Sequence, residues 1–327
     1  MEGILESRGA RIIIEECANI KSGEKVLVIS DFNSVGTAEL VAREAWAKKA
    51  DVSILIMPPR KVDGEEPPKC VSEAMKKVDV ILLAVSVSMT HTNASKEALG
   101  AGARILSLTG VTEATIATEA FEADFKKERP ICEEIAKKFS QGKEVRITSP
   151  SGTDLVLSAV GRQGNSHHCI IDSPGQFSAA PNIEANFAPV EGTAEGMFVA
   201  DLSIPYLGIG LLSEPIYFTI KKGKITKTEG GKQAEQIEKI WEEQNDPNVY
   251  NIAQVAVGLN PKIKEAKGVL GCCYDEGTYG TVHIGIGTSS NLGGVTKAST
   301  HFDALVNKPT VFVDGKKILE GGNVLIK

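Results

Sequence analysis

The chain has 327 residues, 42% of them hydrophobic and 24% charged, which is the composition of an ordinary globular protein long enough for two domains. Its net charge of -6 combines 42 acidic with 36 basic residues and no basic run, so we expect no nucleic-acid partner. The amino terminus lacks a signal-peptide core and no apolar window is long enough to cross a bilayer. We therefore expect a cytoplasmic protein without a membrane partner.

The first part of the chain alternates short apolar runs with amphipathic segments. Residues 1 to about 20 have helical spacing, and the run 25–30 predicts a strand that precedes an alanine-rich helix over 36–49. The same alternation predicts strands at 52–56, 78–85 and 104–108, with helices at 71–77 and 95–103. Strands buried on both faces that alternate with helices form parallel sheets. We therefore predict a Rossmann-like, doubly wound parallel sheet domain over residues 1–143, and the missing G-x-G-x-x-G favours a scaffold rather than a dinucleotide site.

His91 follows the predicted strand 78–85 in the sequence Ser-Met-Thr-His-Thr. The carboxyl ends of the strands are where open α/β sheets bind ligands, and histidine changes charge near neutral pH. His91 is therefore a candidate catalytic acid or base. A structural role at the start of the next helix explains the residue equally well.

The composition changes near residue 144, and strands dominate from there on. A helical segment over 112–142, which Pro130 breaks or restarts, precedes a hairpin around Pro150-Ser-Gly152. Further hairpin-like segments at 216–227 and 310–320 flank a helix at about 231–244. We assign residues 144–327 to a β-rich α+β domain.

Residues 275–303 bring two of the five histidines together with three acids. His283 lies in an alternating run, on the strand face opposite Val282 and Ile284. His301 and Asp303 are two residues apart, so an extended segment presents both on one face. Two imidazoles and a carboxylate suit Zn, Mn or Fe(II). The alternative is that His283 is a core histidine and the other two residues form a surface pair.

These residues also carry a family resemblance. The carboxyl half resembles the aminopeptidase T/aminopeptidase S metallopeptidases and, more loosely, the 2,5-dihydroxypyridine 5,6-dioxygenases. The resembling motifs are Pro181-Asn-Ile-Glu184-Ala-Asn-Phe-Ala-Pro189, Asp275-Glu276 with His283-Ile-Gly-Ile-Gly287, and Thr300-His301-Phe302-Asp303. The likeness extends over most of the chain and implies a carboxyl domain with a metal centre, and a homodimer.

The resemblance places Glu184, His283, His301 and Asp303 at metal-ligand positions for a divalent ion such as Zn, Co, Mn or Fe(II). The peptidases have a further ligand glutamate where this chain has Gln254. Since carboxylates supply the charge that holds two neighbouring cations, we predict one metal ion per chain. The dioxygenase relatives have a histidine ligand near the position of Gln254, none matching His283, and a histidine in a context like that of His91.

The leading functional prediction is a metal-dependent hydrolase that resembles aminopeptidase T and acts on a peptide or small-molecule substrate. Glu191 or Glu276 would be its general base, although Glu191 also fits a metal ligand or a structural hydrogen-bond acceptor. The first alternative is a mononuclear Fe(II) ring-cleaving dioxygenase in which His91 assists proton transfer. The second is a non-catalytic binding protein with a degenerate site.

Overall fold

A computed structural model of the chain describes residues 2–62, 64–90, 92–205, 207–266 and 270–326. The chain forms two compact units, one made of residues 1–126 and 167–181, the other of 127–166 and 182–327. This division differs from a single change of domain after residue 143. The segment 167–181 returns to the first unit because it supplies a strand of that unit's sheet.

The helices differ from the predicted ones mainly between residues 112 and 142, where the helical segment is interrupted before Pro130 rather than at it. Short 3-10 turns span Glu119–Glu122 and Cys273–Gly277, and a π-helical turn spans Ile13–Cys17. The α-helices are α1 (Glu2–Ile12), α2 (Val35–Ala47), α3 (Lys69–Met75), α4 (Asn93–Gly100), α5 (Glu113–Ile116), α6 (Phe125–Gln141), α7 (Lys232–Gln244) and α8 (Pro261–Ala266).

The strands include every hairpin that the turn residues predicted. The first ten are β1 (Lys25–Asp31), β2 (Asp51–Met57), β3 (Val80–Ala84), β4 (Arg104–Ser107), β5 (Glu144–Thr148), β6 (Asp154–Ser158), β7 (Asn165–His167), β8 (Phe177–Ala179), β9 (Glu184–Phe187) and β10 (Glu195–Ala200). The others are β11 (Ser203–Ile204), β12 (Gly210–Leu211), β13 (Ile216–Lys221), β14 (Lys224–Glu229), β15 (Ile252–Gly258), β16 (Val282–Gly287), β17 (His301–Val306), β18 (Thr310–Val313), β19 (Lys316–Glu320) and β20 (Asn323–Val324).

The first unit contains a five-stranded parallel sheet in the order β2-β1-β3-β4-β8. The central strand β3 is buried along its whole length, and its side chains pack in a core that includes Met75, Ile81 and Leu83. Strand β2 lies at the edge and is largely exposed, so the prediction that its apolar run is buried on both faces is wrong. The predicted α/β class with a parallel sheet is confirmed.

The second unit contains two antiparallel sheets and the small β11–β12 pair. The larger sheet has the order β14-β13-β10-β6-β5-β18-β19-β20, and the smaller has the order β17-β16-β15-β9-β7. The smaller sheet carries Glu184, His283, His301 and Asp303 on three of its strands. The predicted α+β character of the carboxyl part is confirmed.

Aromatic side chains pack against the opposite face of β17. Phe302 is fully buried, and the centre of its ring lies 5.6 Å from that of Trp241 on α7. Trp241 also packs on Phe218 and Tyr250, with ring-centre distances of 6.2 and 5.1 Å. Because alternate residues of a strand point to opposite faces, this aromatic core fixes the direction of His301 and Asp303. In the described part of the chain, no helix has the length and apolarity needed to cross a membrane.

Candidate metal centre

One face of the β9-β15-β16-β17 region gathers the four predicted metal ligands. In the strand register Asp303 lies opposite Gly285, and His301 lies opposite Gly287. His283 lies opposite Ala256 on β15, which in turn lies opposite Asn186 on β9. Cross-strand partners and residues two apart share a face, so His283, His301, Asp303 and Glu184 all point to the same side of this sheet.

The ligand atoms of these four side chains face one another. His283 Nε2 lies 3.6 Å from Glu184 Oε2 and 3.7 Å from Asp303 Oδ1. His301 Nε2 lies 3.6 Å from the same Asp303 oxygen. His283, Glu184 and Asp303 are buried, whereas the side chain of His301 is 25% exposed and leaves the cluster open on its side. The structure thus brings together the four residues that the family resemblance placed at ligand positions.

The orientation of His301 is fixed by its neighbours. Its Nδ1 lies 2.8 Å from the carbonyl oxygen of Thr288, and because a carbonyl only accepts, Nδ1 carries the proton and donates it. Nε2 is therefore the atom that faces Asp303, and it is the nitrogen that can bind a metal ion when the ring is neutral. Gly285 makes room for the ring, since a Cβ at this position would lie 2.7 Å from His301 Cε1 and 2.9 Å from Nε2.

The carboxylate of Glu184 is oriented by two amides. Asn186 Nδ2 donates to Glu184 Oε1 over 2.7 Å, and Gln254 Nε2 lies 3.4 Å from the same oxygen. Gln254 Nε2 is also 3.5 Å from His283 Nε2. The amides occupy Oε1 and leave Oε2 to face His283. Asn186 was missed in the sequence, although its spacing of two from Glu184 on one strand indicated a shared face.

The charges in the cluster shift two pKa values. Burial opposes ionisation of Asp303, but His283 and His301 outweigh burial and lower its pKa, with a further contribution from a hydrogen bond to Glu276. Burial also disfavours the charged form of His301, yet Asp303 outweighs it and raises the pKa of His301. Asp303 is therefore held as a carboxylate, the form that binds metal ions.

The donor atoms of these residues are of the kind that bind a divalent ion. Asp303 Oδ1 is buried and has no hydrogen-bond partner among the described residues, although it faces both histidines. Two ligand atoms about 2.1 Å from one ion lie about 3.0 to 3.4 Å apart, so the observed 3.6 and 3.7 Å are slightly too wide. Within the described ranges no group of three or more His, Cys, Asp and Glu side chains is arranged to hold an ion as it stands. The cluster must therefore contract by a few tenths of an ångström when an ion binds.

The other predicted site residues lie in different surroundings. Glu276 belongs to the 3-10 turn Cys273–Gly277 and hydrogen-bonds Asp303, which places it beside the four ligands. Its neighbour Asp275 has a structural part, since it accepts from Ser203 Oγ over 2.6 Å and from the backbone N–H groups of Leu270 and Gly271. His91 lies outside the described residues.

Glu191 makes its hydrogen bonds to the connection between β16 and β17. It pairs with Arg162 and accepts from Val295 N over 2.7 Å and from Ser289 Oγ over 3.2 Å. Burial opposes ionisation of Glu191, but the Val295 N–H and Arg162 outweigh it and lower its pKa. A lowered pKa weakens a carboxylate as a base, so these contacts favour the structural alternative for Glu191.

The neutral side chain of Gln254 leads to a prediction about metal content. We expect protein purified without added metal to contain about one tightly bound divalent ion per chain, because the ligand set includes only two carboxylates. Gln254→Glu adds a third carboxylate beside Glu184 and His283 and should strengthen binding of a second ion. Elemental analysis and metal titration measure both effects, and Gln254→Met is the neutral control. Two tightly held ions in the unaltered protein would contradict this prediction.

Comparisons with known proteins bear on the reaction. A family model described as NicX, 2,5-dihydroxypyridine 5,6-dioxygenase, matches residues 13–326. A 2,5-dihydroxypyridine 5,6-dioxygenase from Pseudomonas putida is 26% identical over 261 residues, which are 77% of this chain and 72% of the relative. The solved structure of the P. putida 2,5-dihydroxypyridine dioxygenase has a TM-score of 0.84 at 19% identity, covering 99% of this chain and 98% of that chain. Wild-type AmpT from Thermus thermophilus has a TM-score of 0.71 at 16% identity, covering 100% of both chains. At such identities the two structures show a common fold.

The prediction of an aminopeptidase-like hydrolase is wrong. The family model and the P. putida relative both name the dioxygenase, which the sequence supported only as an alternative, whereas the likeness to AmpT concerns the fold. The error has a chemical reason: histidine and carboxylate ligands serve both hydrolysis and oxygen chemistry, so the ligand set alone does not distinguish the reactions. The comparisons therefore favour the dioxygenase over the hydrolase, and the chain belongs to the 2,5-dihydroxypyridine 5,6-dioxygenase family.

Proposed function

We propose that this protein is a mononuclear Fe(II)-dependent dioxygenase that opens the ring of 2,5-dihydroxypyridine, or of a closely related dihydroxylated heteroaromatic compound, between carbons 5 and 6. The observation that supports this most directly is the mutual approach of Glu184, His283, His301 and Asp303 on one sheet face. Membership of the dioxygenase family supports the reaction type.

In this proposal His283, His301 and Asp303 hold the ion through Nε2, Nε2 and Oδ1, and Glu184 faces it through Oε2. Two histidines and one carboxylate are the ligand set of non-haem Fe(II) oxygenases, and the remaining Glu184 carboxylate adds a second negative charge. Bound Fe(II) with open coordination positions would supply the chemistry that brings oxygen and the aromatic substrate together.

The chain's own residues orient the ligands and move protons. Thr288 keeps a proton of His301 on Nδ1, and Asn186 binds Oε1 of Glu184, which leaves Oε2 facing His283 and available to an ion. The Asp303 carboxylate only accepts, so Glu276 carries the proton of the hydrogen bond between them and is the candidate general acid, which gives a proton to the substrate. His91 remains a second candidate for this part from its sequence context.

The reaction predicts a specific oxygen stoichiometry. With Fe(II) under air, the protein should consume about one O₂ per 2,5-dihydroxypyridine, and both atoms of ¹⁸O₂ should appear in the ring-opened product. An oxygen electrode and mass spectrometry measure these two quantities. Asp303→Asn keeps the size of the side chain but removes the ligand charge, and it should abolish oxygen uptake.

Three results would contradict the proposal. Hydrolysis of leucine p-nitroanilide with Zn or Co, without oxygen uptake on any dihydroxypyridine, would indicate a peptidase. Tight binding of 2,5-dihydroxypyridine without turnover by the Fe(II)-loaded protein would indicate a binding protein. Failure of the unaltered protein to retain any metal would remove the site itself.

We also propose that the protein is a homodimer, as the family resemblance implies. Sedimentation equilibrium at several protein concentrations measures the assembly directly. A mass equal to that of one chain at every concentration would contradict this proposal.

A further inference from the structure

The connection between β16 and β17 contains a loop, residues 289–295, that is fastened at several points. Glu191 Oε1 accepts from Val295 N at 2.7 Å and from Ser289 Oγ at 3.2 Å, so it binds both ends of the loop. Arg162 pairs with Glu191 and donates from Nη1 to the carbonyl oxygen of Gly293 over 2.7 Å. One ion pair therefore holds the beginning, middle and end of this loop.

The contacts of Arg162 and Glu191 with the loop are closely packed and largely shielded from solvent. The side chains of Arg162 and Glu191 are only 14% and 23% exposed, so water screens this pair less than an ion pair on the open surface. A Cβ at Gly294 would lie 2.2 Å from Ser289 Oγ and 2.9 Å from Glu191 Oε1. The loop thus fits against the ion pair with no room for a side chain at residue 294.

The same loop is hydrogen-bonded to a metal-ligand residue through two asparagines. Asn165 Nδ2 lies 3.3 Å from the carbonyl oxygen of Leu292 and 2.9 Å from Asn186 Oδ1, so it can donate to both. Asn186 is buried and donates its own amide to Glu184 Oε1 over 2.7 Å. An unbroken set of hydrogen bonds therefore leads from the middle of the loop to Glu184.

A second ligand contacts the chain at the start of this connection. The carbonyl oxygen that receives the Nδ1 proton of His301 belongs to Thr288, which directly precedes the loop. Thr288 also bonds across the loop base, since its N–H donates to the carbonyl oxygen of Thr300 over 2.9 Å. The 289–295 loop and the residue before it are thus connected by hydrogen bonds both to Glu184 and to His301.

We propose that Arg162 and Glu191 form a latch that holds the 289–295 loop, and that the loop sets the positions of Glu184 and His301 for the metal ion. Glu191 is then a positioning residue, which departs from the general-base role predicted for it. The proposal rests on the metal site of the proposed function but not on ring cleavage. Hydrogen-bond partners of metal ligands contribute about 10- to 100-fold to metal affinity, which sets the size of the expected effect.

Co(II) binding to the purified, metal-free protein tests the latch, because the visible absorption of Co(II) reports ligand geometry independently of turnover. Glu191→Gln keeps the size of the side chain but removes the charge that holds Arg162. We expect Glu191→Gln and Asn165→Ala each to raise the Co(II) dissociation constant about 10-fold or more and to change the Co(II) spectrum. Both changes interrupt the same set of contacts. The loss of Co(II) binding free energy in the double variant should therefore be smaller than the sum of the losses in the two single variants.

Arg146→Ala is the matched control. Arg146 forms a two-bond ion pair with Asp154 in the same unit, at 2.8 Å for each bond, but this pair is about half exposed and joins β5 to β6 of the larger sheet, whereas the candidate ligands lie on the smaller one. The control should bind Co(II) as the unaltered protein does. Thermal melting of the metal-free variants confirms that each one is folded before binding is compared.

The outcomes separate the latch from the metal site. Unchanged Co(II) affinity and spectrum in folded Glu191→Gln would overturn the latch and leave the site in place. Additive losses in the double variant would overturn the connection through Asn165. If the unaltered protein does not bind Co(II), the metal site fails and the latch with it, whereas Co(II) binding without oxygen uptake removes only the proposed reaction.

Discussion

Replacing either His301 or Asp303 by alanine is expected to remove most of the bound metal and the dependence of the melting temperature on added metal. Each change deletes a proposed ligand atom of the cluster, and His301→Ala also frees the Thr288 carbonyl oxygen. An ion that binds only the folded protein stabilises it by mass action, so its loss lowers the melting temperature. Elemental analysis and melting curves with and without Fe(II) measure both effects.

Phe302→Leu is the matched control for these two variants. Phe302 lies between His301 and Asp303 in sequence but points into the aromatic core, where its ring packs on Trp241. The change should cost stability on the order of 1 kcal/mol through lost packing while metal content stays the same. Full metal content in His301→Ala, together with a loss of only about 1 kcal/mol, would show that the residue belongs to a structural hydrogen-bonded pair.

Trp241→Ala is expected to lower the free energy of unfolding by about 3 to 5 kcal/mol, the cost of deleting a large aromatic side chain from a packed core. Trp241 is almost completely buried and contacts the rings of Phe218, Tyr250 and Phe302. Since Phe302 is part of β17, the cavity would also loosen the strand that presents His301 and Asp303. Urea unfolding of the metal-free protein measures the loss without a contribution from metal binding.

Trp241→Phe distinguishes packing from hydrogen bonding at this position. The indole Nε1 of Trp241 is buried without a hydrogen-bond partner among the described residues, so phenylalanine removes no bond there. Trp241→Phe should lower the free energy of unfolding by roughly 1 to 2 kcal/mol, clearly less than Trp241→Ala, and should leave metal affinity unchanged. Equal losses for Trp241→Phe and Trp241→Ala would contradict the packing explanation.

The fold classes were predictable because their signals are local. Apolar runs that alternate with amphipathic segments predicted the parallel sheet, and Pro150-Ser-Gly152 predicted the β5–β6 hairpin. Strand β8 was not predictable in this way, since its three residues join the first unit only by pairing with β4, about 70 positions earlier in the chain. The exposure of β2 was missed for the same reason, because the sequence of a strand does not state whether it lies at an edge.

In the candidate site too, some features follow from the sequence and others only from the tertiary structure. The sequence alone determined that His301 and Asp303 share a strand face opposite Phe302, because side chains alternate along any strand. It also predicted two histidines and a carboxylate as candidate metal ligands, a set that is common to more than one reaction, and the family resemblance added Glu184. Only the tertiary structure decided that Glu184 on β9 meets His283 on β16, since the register of β9, β15 and β16 brings together residues about 100 positions apart.

Tertiary structure alone also decided the surroundings of Glu191. Its position near Glu184 in the sequence was compatible with a metal ligand, a base or a structural acceptor, with the structural role slightly favoured, whereas the folded chain pairs it with Arg162 and the 289–295 loop. The sequence specifies the chemical type of each side chain, but the partners of a charged group depend on contacts between distant segments. The sequence therefore determined which groups could bind a metal ion, and the pairing of strands and loops decided which of them meet.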